Sequence, residues 1–146
     1  MKLNSPAFEH QDFIPDEYTC IGSDINPPLQ IEDIPGKART LALIVDDPDA
    51  PMGTFVHWVL YDMPITRSIN ENSAPGTQGT NDFQRIGYGG PCPPSGTHRY
   101  FFKLYALDSK LDLLPGVKKQ ELEKSMQGHI LDQAQLMGRF AKSGRK

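Results

Sequence analysis

At 146 residues the chain is near the common size for one compact domain around one hydrophobic core. Its net charge of −3 offers no basic face for nucleic acid or acidic lipid, and no run approaches the ~20 apolar residues that cross a bilayer. Thirteen prolines and thirteen glycines favour a loop-rich β architecture over a helical bundle.

The first residues, Met1–Pro6, hold no apolar signal core, so the expectation is a soluble, unexported, cytoplasmic protein. Cys20 and Cys92 allow at most one bridge; a cytosolic setting keeps both reduced, and two lone cysteines fit no zinc motif. From Ser5 to Pro35 turn formers dominate, with short apolar pieces (Ala7-Phe8, Phe13-Ile14, Leu29-Gln30-Ile31) that read as edge strands or extended anchors. Asn26-Pro27-Pro28 holds its backbone near polyproline II, which suits a stiff strap across a sheet.

Thr40–Val45 is a continuous apolar run, read as a strand buried on both faces, and it breaks at Asp46-Asp47-Pro48-Asp49-Ala50-Pro51. Thr54–Tyr61 is the next strand. Strict alternation puts Phe55, His57, Val59 and Tyr61 on one face and Val56, Trp58 and Leu60 on the other. Arg67–Gly90 is a long glycine-rich excursion, of a length that usually serves function or shields something. The run Gly90–Gly96 is stiffened by three prolines and feeds the aromatic strand His98–Leu107. His98, Tyr100, Phe102, Leu104 and Ala106 share one face of that strand; Arg99 lies on the other, as an ion-pair partner in the sheet. Between Lys118 and Phe140, the residues Leu122, Met126, Ile130, Ala134 and Met137 recur near a 3.6 period, which predicts one long amphipathic helix on the sheet. Gly128 and Gly138 inside it point to close packing. Lys142, Arg145 and Lys146 form a small basic tail, read as solvated.

Polar side chains therefore stand at the end of three apolar strands: Asp47 and Asp49, His57, and His98 with Tyr100. If the strands are neighbours, these groups converge as hydrogen-bond donors for an anion, with carboxylates to orient the imidazoles. Singly, each has a plainer role. His57 could be a satisfied core residue, Asp47 and Asp49 turn residues, Tyr100 packing, and Cys92 a small buried hydrophobe. A hydrolase using Asp47, His57 and His98, or a thiol–imidazole pair at Cys92, is the enzymatic alternative. No His-x-x-x-His, nucleophile elbow or phosphate loop supports it, and the sequence implies no metal or cofactor.

Asp47-Pro48-Asp49-Ala50-Pro51 followed by His57-Trp58, then Gly90-Pro91-Cys92-Pro93-Pro94 leading to Gly96-Thr97-His98-Arg99-Tyr100, resembles the phosphatidylethanolamine-binding protein family, in its bacterial and archaeal Raf-kinase-inhibitor-like branch. Tyr18-Thr19-Cys20, Gly22 and Asn26-Pro27-Pro28-Leu29 extend the resemblance over nearly the whole chain. It implies a mainly β fold over residues 1–146, a single domain with a large antiparallel sheet packed on a smaller one and few helices. It also implies a pocket for phosphate-like groups, free, on a phosphorylated ligand or on a phospholipid head group, lined by Asp47, His57, His98 and Tyr100. Asp49 and the Gly90–Pro94 turn, with Pro91, would shape its wall. Inhibition of a kinase or protease through surface loops is the alternative function, and homodimers occur in that branch. Ile31 departs from the Trp that commonly follows Pro-Pro-Leu, and the chain stops short of the extra helix of eukaryotic relatives, which argues against eukaryote-style kinase regulation.

Overall fold

A computed structural model of the chain describes residues 1–142, so Arg145 and Lys146 of the basic tail lie outside the described residues. In chain order the strands are β1 (Lys2–Asn4), β2 (Leu29–Glu32), β3 (Thr40–Asp47), β4 (Phe55–Pro64), β5 (Ser68–Ile69), β6 (Thr77–Gln78), β7 (Thr97–Leu107) and β8 (Ile130–Ala141). One helix, α1 (Lys119–Met126), precedes β8. The large sheet runs β6-β4-β3-β7-β8 and the small one β1-β2-β5, with antiparallel pairing throughout.

β3 lies at the centre because every residue of it is buried, which only a strand covered on both faces tolerates. Leu41, Leu43 and Val45 face the small sheet and meet Trp58, Leu60, Phe102, Leu104, Leu29 and Ile31 there. Ala42 and Ile44 face the other way, under Leu122 and Met126 of α1. The layers are thus small sheet, large sheet and helix. Each fully buried Leu, Ile or Phe in the two clusters contributes about 1.5–3 kcal/mol, enough to fix which face of each strand turns inward.

The predicted long helix begins as expected but ends at Met126. Gly128 then takes a left-handed conformation (φ +81°) that turns the chain, and Ile130–Ala141 pairs along the whole length of β7. The 3.6-period pattern holds for Leu122 and Met126, both buried against the sheet. Beyond them the inward positions are Leu136, Gly138 and Phe140, a period of two. Ile130 is exposed, so its place in the helical pattern was coincidental. Pairing along the edge of β7 outweighs the helix preference of Gln and Met.

Gly138 is closely packed, in a strand rather than a helix. A Cβ there would fall 2.5 Å from Ile14 Cγ1 and 2.8 Å from Phe8 Cε2, where the N-terminal segment crosses β8. That segment is tied on by main-chain bonds from Gln11 N–H to Met137 O (2.6 Å) and from Ile14 N–H to Arg139 O (2.8 Å). Gly138→Ala should therefore destabilise the protein by about 1–3 kcal/mol through overpacking. Urea unfolding checks this; an unchanged midpoint would refute the packing account.

Candidate functional site

Three aspartates follow one another at the end of β3 and its turn, and each finds a different partner. Asp46 points to the helix side, where Oδ2 accepts from Lys103 Nζ (3.1 Å) and Lys119 Nζ (2.8 Å). Asp47 points to the opposite face, 3 % exposed, and its Oδ2 lies 2.6 Å from His98 Nδ1. Its other oxygen accepts the Asp49 N–H at 2.7 Å, so the turn role and the site role coexist in one side chain. Asp49 leaves the pocket and grips Arg99, with Nε at 2.9 Å and Nη2 at 2.8 Å. The Arg99 guanidinium holds the Asp49 carboxyl below its ordinary value. Arg99 is the ion-pair partner that its place on the strand predicts.

His57 reaches the site through an irregularity that alternation does not foresee. Val45 pairs with Trp58 and Asp46 with Val56, so His57 is the extra residue of a β-bulge. Val56, Val59 and Tyr61 lie on the helix side, whereas Trp58 and Leu60 lie between the sheets. The expected grouping of His57 with Val59 and Tyr61 is thereby corrected. The bulge turns the imidazole towards β7, where its ring meets Tyr100 edge-on at 5.2 Å. Tyr100 in turn stacks with His98 at 6.5 Å.

Asp47, His57, His98 and Tyr100 thus line one cavity of about 490 Å³. Phe55 and Phe83 complete an aromatic cluster around His57, at 5.1 and 5.3 Å. Met52, Cys92, Pro93 and Pro94 also line it. Pro91 does not; its carbonyl accepts the Cys20 N–H at 3.1 Å and so holds the turn to the N-terminal strap. Phe83, from the glycine-rich excursion, carried no signal in the sequence beyond the length of its loop.

The expectation of two free thiols is overturned: Cys20 and Cys92 are joined in a disulfide. The bridge spans 72 residues of sequence and fastens one wall of the cavity to the strap. With its sulfur committed there, Cys92 is no nucleophile for a thiol–imidazole pair.

The hydrogen bonds fix what the cavity presents. His57 Nδ1 lies 2.7 Å from Gly89 O, and a carbonyl only accepts, so this nitrogen carries the proton. His98 Nδ1 likewise donates to the Asp47 carboxylate. Each ring is left with Nε2 for the cavity, a lone pair when neutral and a donor once protonated. Burial pushes the His57 imidazole below its ordinary value; the Gly89 carbonyl and Asp47 oppose this without cancelling it. The Tyr100 hydroxyl is buried and makes no hydrogen bond of good geometry among the described residues, only a weak interaction with the Cys92 main chain. Burial raises its pKa far above the ordinary tyrosine value, so it stays a donor. Among the described residues, the cavity thus holds a buried hydroxyl donor without a good acceptor, on a ring that touches two imidazoles.

Residues 4–141 match the family model described as phosphatidylethanolamine-binding protein. A UPF0098 protein of Methanothermobacter thermautotrophicus is 47 % identical over 148 residues, covering 96 % of this chain and 98 % of that protein. One from Pyrococcus horikoshii is 48 % identical over 147 residues, covering 93 % and 74 %. Among solved structures, a phosphatidylethanolamine-binding protein homolog from Chlamydia trachomatis is 41 % identical and superposes with a TM-score of 0.94 over 97 % of both chains. YbcL of E. coli, described as a new member of the mammalian family, shares the fold at 22 % identity with a TM-score of 0.88, over 96 % of this chain and 97 % of that one.

Two stability effects follow. Replacing both Cys20 and Cys92 by Ser releases a loop of 72 residues' separation and should lower stability by about 4 kcal/mol in the chain-entropy account; an unfolding midpoint insensitive to the double substitution would contradict it. Because the folded imidazole of His57 binds its proton more weakly than the unfolded one, the unfolded state takes up more protons below about pH 6.5. Stability is therefore fully present above that pH and is lost as pH falls through the lower folded value. His57→Gln should flatten this part of a thermal-melting pH profile, and an unchanged slope would refute the assignment.

Proposed function

The chain belongs to the phosphatidylethanolamine-binding protein family, and from that premise we propose that its cavity binds a small phosphate-type oxyanion, free or carried on a ligand, without chemical turnover. The observation that carries this is the buried Tyr100 hydroxyl, a donor with no good acceptor among the described residues, on a ring that touches two imidazoles whose Nδ1 atoms are already engaged. Protonation at Nε2 of His57 and His98 would add two charge-assisted donors facing one anion. The apolar walls, Phe55, Phe83, Pro93 and Pro94, exclude water and strengthen those bonds. Asp47 cannot face an anion favourably by itself; in this reading its oxygens are taken up by the His98 Nδ1–H and the Asp49 N–H.

No helix among the described residues is long and apolar enough to cross a membrane. The Cys20–Cys92 bridge favours an oxidising setting over the cytoplasm expected from the sequence.

Calorimetric titration with inorganic sulfate, whose charge is constant across the imidazole range, tests the reading. Affinity should rise as pH falls below about 6.5 and through the lower value of His57. His98→Ala or His57→Gln should cost about 1.5–3 kcal/mol of binding, roughly 10- to 100-fold in Kd. Phosphate and phosphoethanolamine then compare a free anion with a head group. Absent binding, or an affinity equal at neutral and acid pH, would sink the charge-assisted pocket.

A further inference from the structure

The two imidazoles of the pocket differ in what stands behind them. His98 is backed directly by the Asp47 carboxylate, whereas the Nδ1–H of His57 meets the neutral main chain, with the Gly89 carbonyl at 2.7 Å. That carbonyl belongs to the Gly89–Gly90 peptide group, and the other end of the same group, the Gly90 N–H, donates to Asp24 Oδ1 at 2.7 Å. An anion accepting from a peptide N–H pushes electron density through the peptide to the carbonyl oxygen and makes it the stronger acceptor. The chain of groups is therefore carboxylate, peptide, imidazole.

We infer that Asp24 is a positioning residue of the pocket, its carboxylate acting through the Gly89–Gly90 peptide to hold His57 ready to carry a proton for an anion. This rests on the oxyanion reading of the cavity given above.

The local construction is specific to that contact. A Cβ on Gly90 would lie 2.5 Å from both Asp24 Oδ1 and the Tyr18 carbonyl, so only glycine lets the carboxylate and the strap approach this peptide. Asp24 itself sits in a left-handed conformation (φ +60°), held by its own N–H to Glu17 O at 3.0 Å. The strap is fastened to the same wall by the Cys20–Cys92 bridge and by Tyr88 Oη donating to Tyr18 O at 2.7 Å. Three ties thus set the Asp24 carboxylate against one N–H group.

The charges around His57 define what Asp24 adds. Asp47, His98 and Tyr100 face it from β3 and β7, Asp82 lines the cavity beside Phe83, and Arg85 lies over the Phe83 ring at 5.5 Å. Burial disfavours the imidazolium, and the Gly89 carbonyl, Asp47, Gly90 and Asp24 each favour it. Asp47 is shared with His98 and faces the site; Asp24 stands behind the ring and cannot repel a bound anion through direct contact.

Asp24→Asn separates charge from structure, because asparagine tolerates the left-handed conformation and its carbonyl oxygen still accepts the Gly90 N–H. Imidazole NMR of the ligand-free protein should show the proton affinity of His57 falling by a measurable factor in this variant relative to the parent. Sulfate affinity near neutral pH should fall by a similar factor, and the gap should close at acid pH, where both proteins are fully protonated. Asp24→Gly, equally compatible with the backbone, removes charge and bond together and should lower the His57 proton affinity at least as far. His57 titrating in both variants as in the parent would overturn the inference. Failure of the parent protein to bind sulfate would instead strike the oxyanion reading, and the ligand-free titration would still decide the role of Asp24.

Discussion

A carboxylate at the buried end of an apolar strand costs several kcal/mol unless it is paired, and β3 ends in two of them. Asp46 and Asp47 are adjacent, so they point to opposite faces of the large sheet, and each must find a cation or a donor on its own side. Much of the molecule is arranged around those two requirements. Asp46 gathers Lys103 from β7 and Lys119 from the first turn of α1, which seats the helix on the sheet beside Leu122 and Met126. Asp47 gathers His98, which places an oriented imidazole at the mouth of the opposite face. Asp49, one turn later and half out of the fold, takes Arg99 and closes the same corner from outside.

The pocket is the place where that corner meets two devices of different origin. One lies within the sheet: the bulge at His57, which spends one residue to turn a side chain from the helix side towards β7. The other lies outside it: the strap from Tyr18 to Asp24, bound to the Gly89–Pro94 wall by a disulfide, by the Cys20–Pro91 main-chain bond and by the Asp24 carboxylate. The wall is irregular chain outside the strands, and these ties hold it in place. Cross-linked to the strap, it becomes a fixed surface against which His57 keeps one tautomer.

Several parts of this were legible from residue order. The buried strand Thr40–Val45, the aromatic strand from His98 and the outward Arg99 follow from apolar continuity and alternation, and the structure holds all three. The convergence of Asp47, His57, His98 and Tyr100 was legible as well, by motif more than by physics. Two errors have definite causes. Leu122, Met126, Ile130, Ala134 and Met137 fit a helical period by accident beyond Met126, because spacings of four also fall on one face of a strand. The expectation for the cysteines rests on the redox state of a cytosol, whereas their separation in space decides whether they meet.

What the sequence determines by itself is therefore local: which runs must be buried, which turns must be stiff, and which polar side chains stand at strand ends. Those follow from hydrophobicity, proline geometry and the two-residue period, none of which needs a partner. Only the tertiary structure decides whether β8 is a strand, which way His57 turns, and what stands behind each imidazole. Pairing, bulge and peptide relay all depend on groups far apart in the chain: β7 for β8, Val45 and Asp46 for His57, and Asp24 for Gly90. Each of those pairs joins different elements, so residue order alone does not say that its members meet.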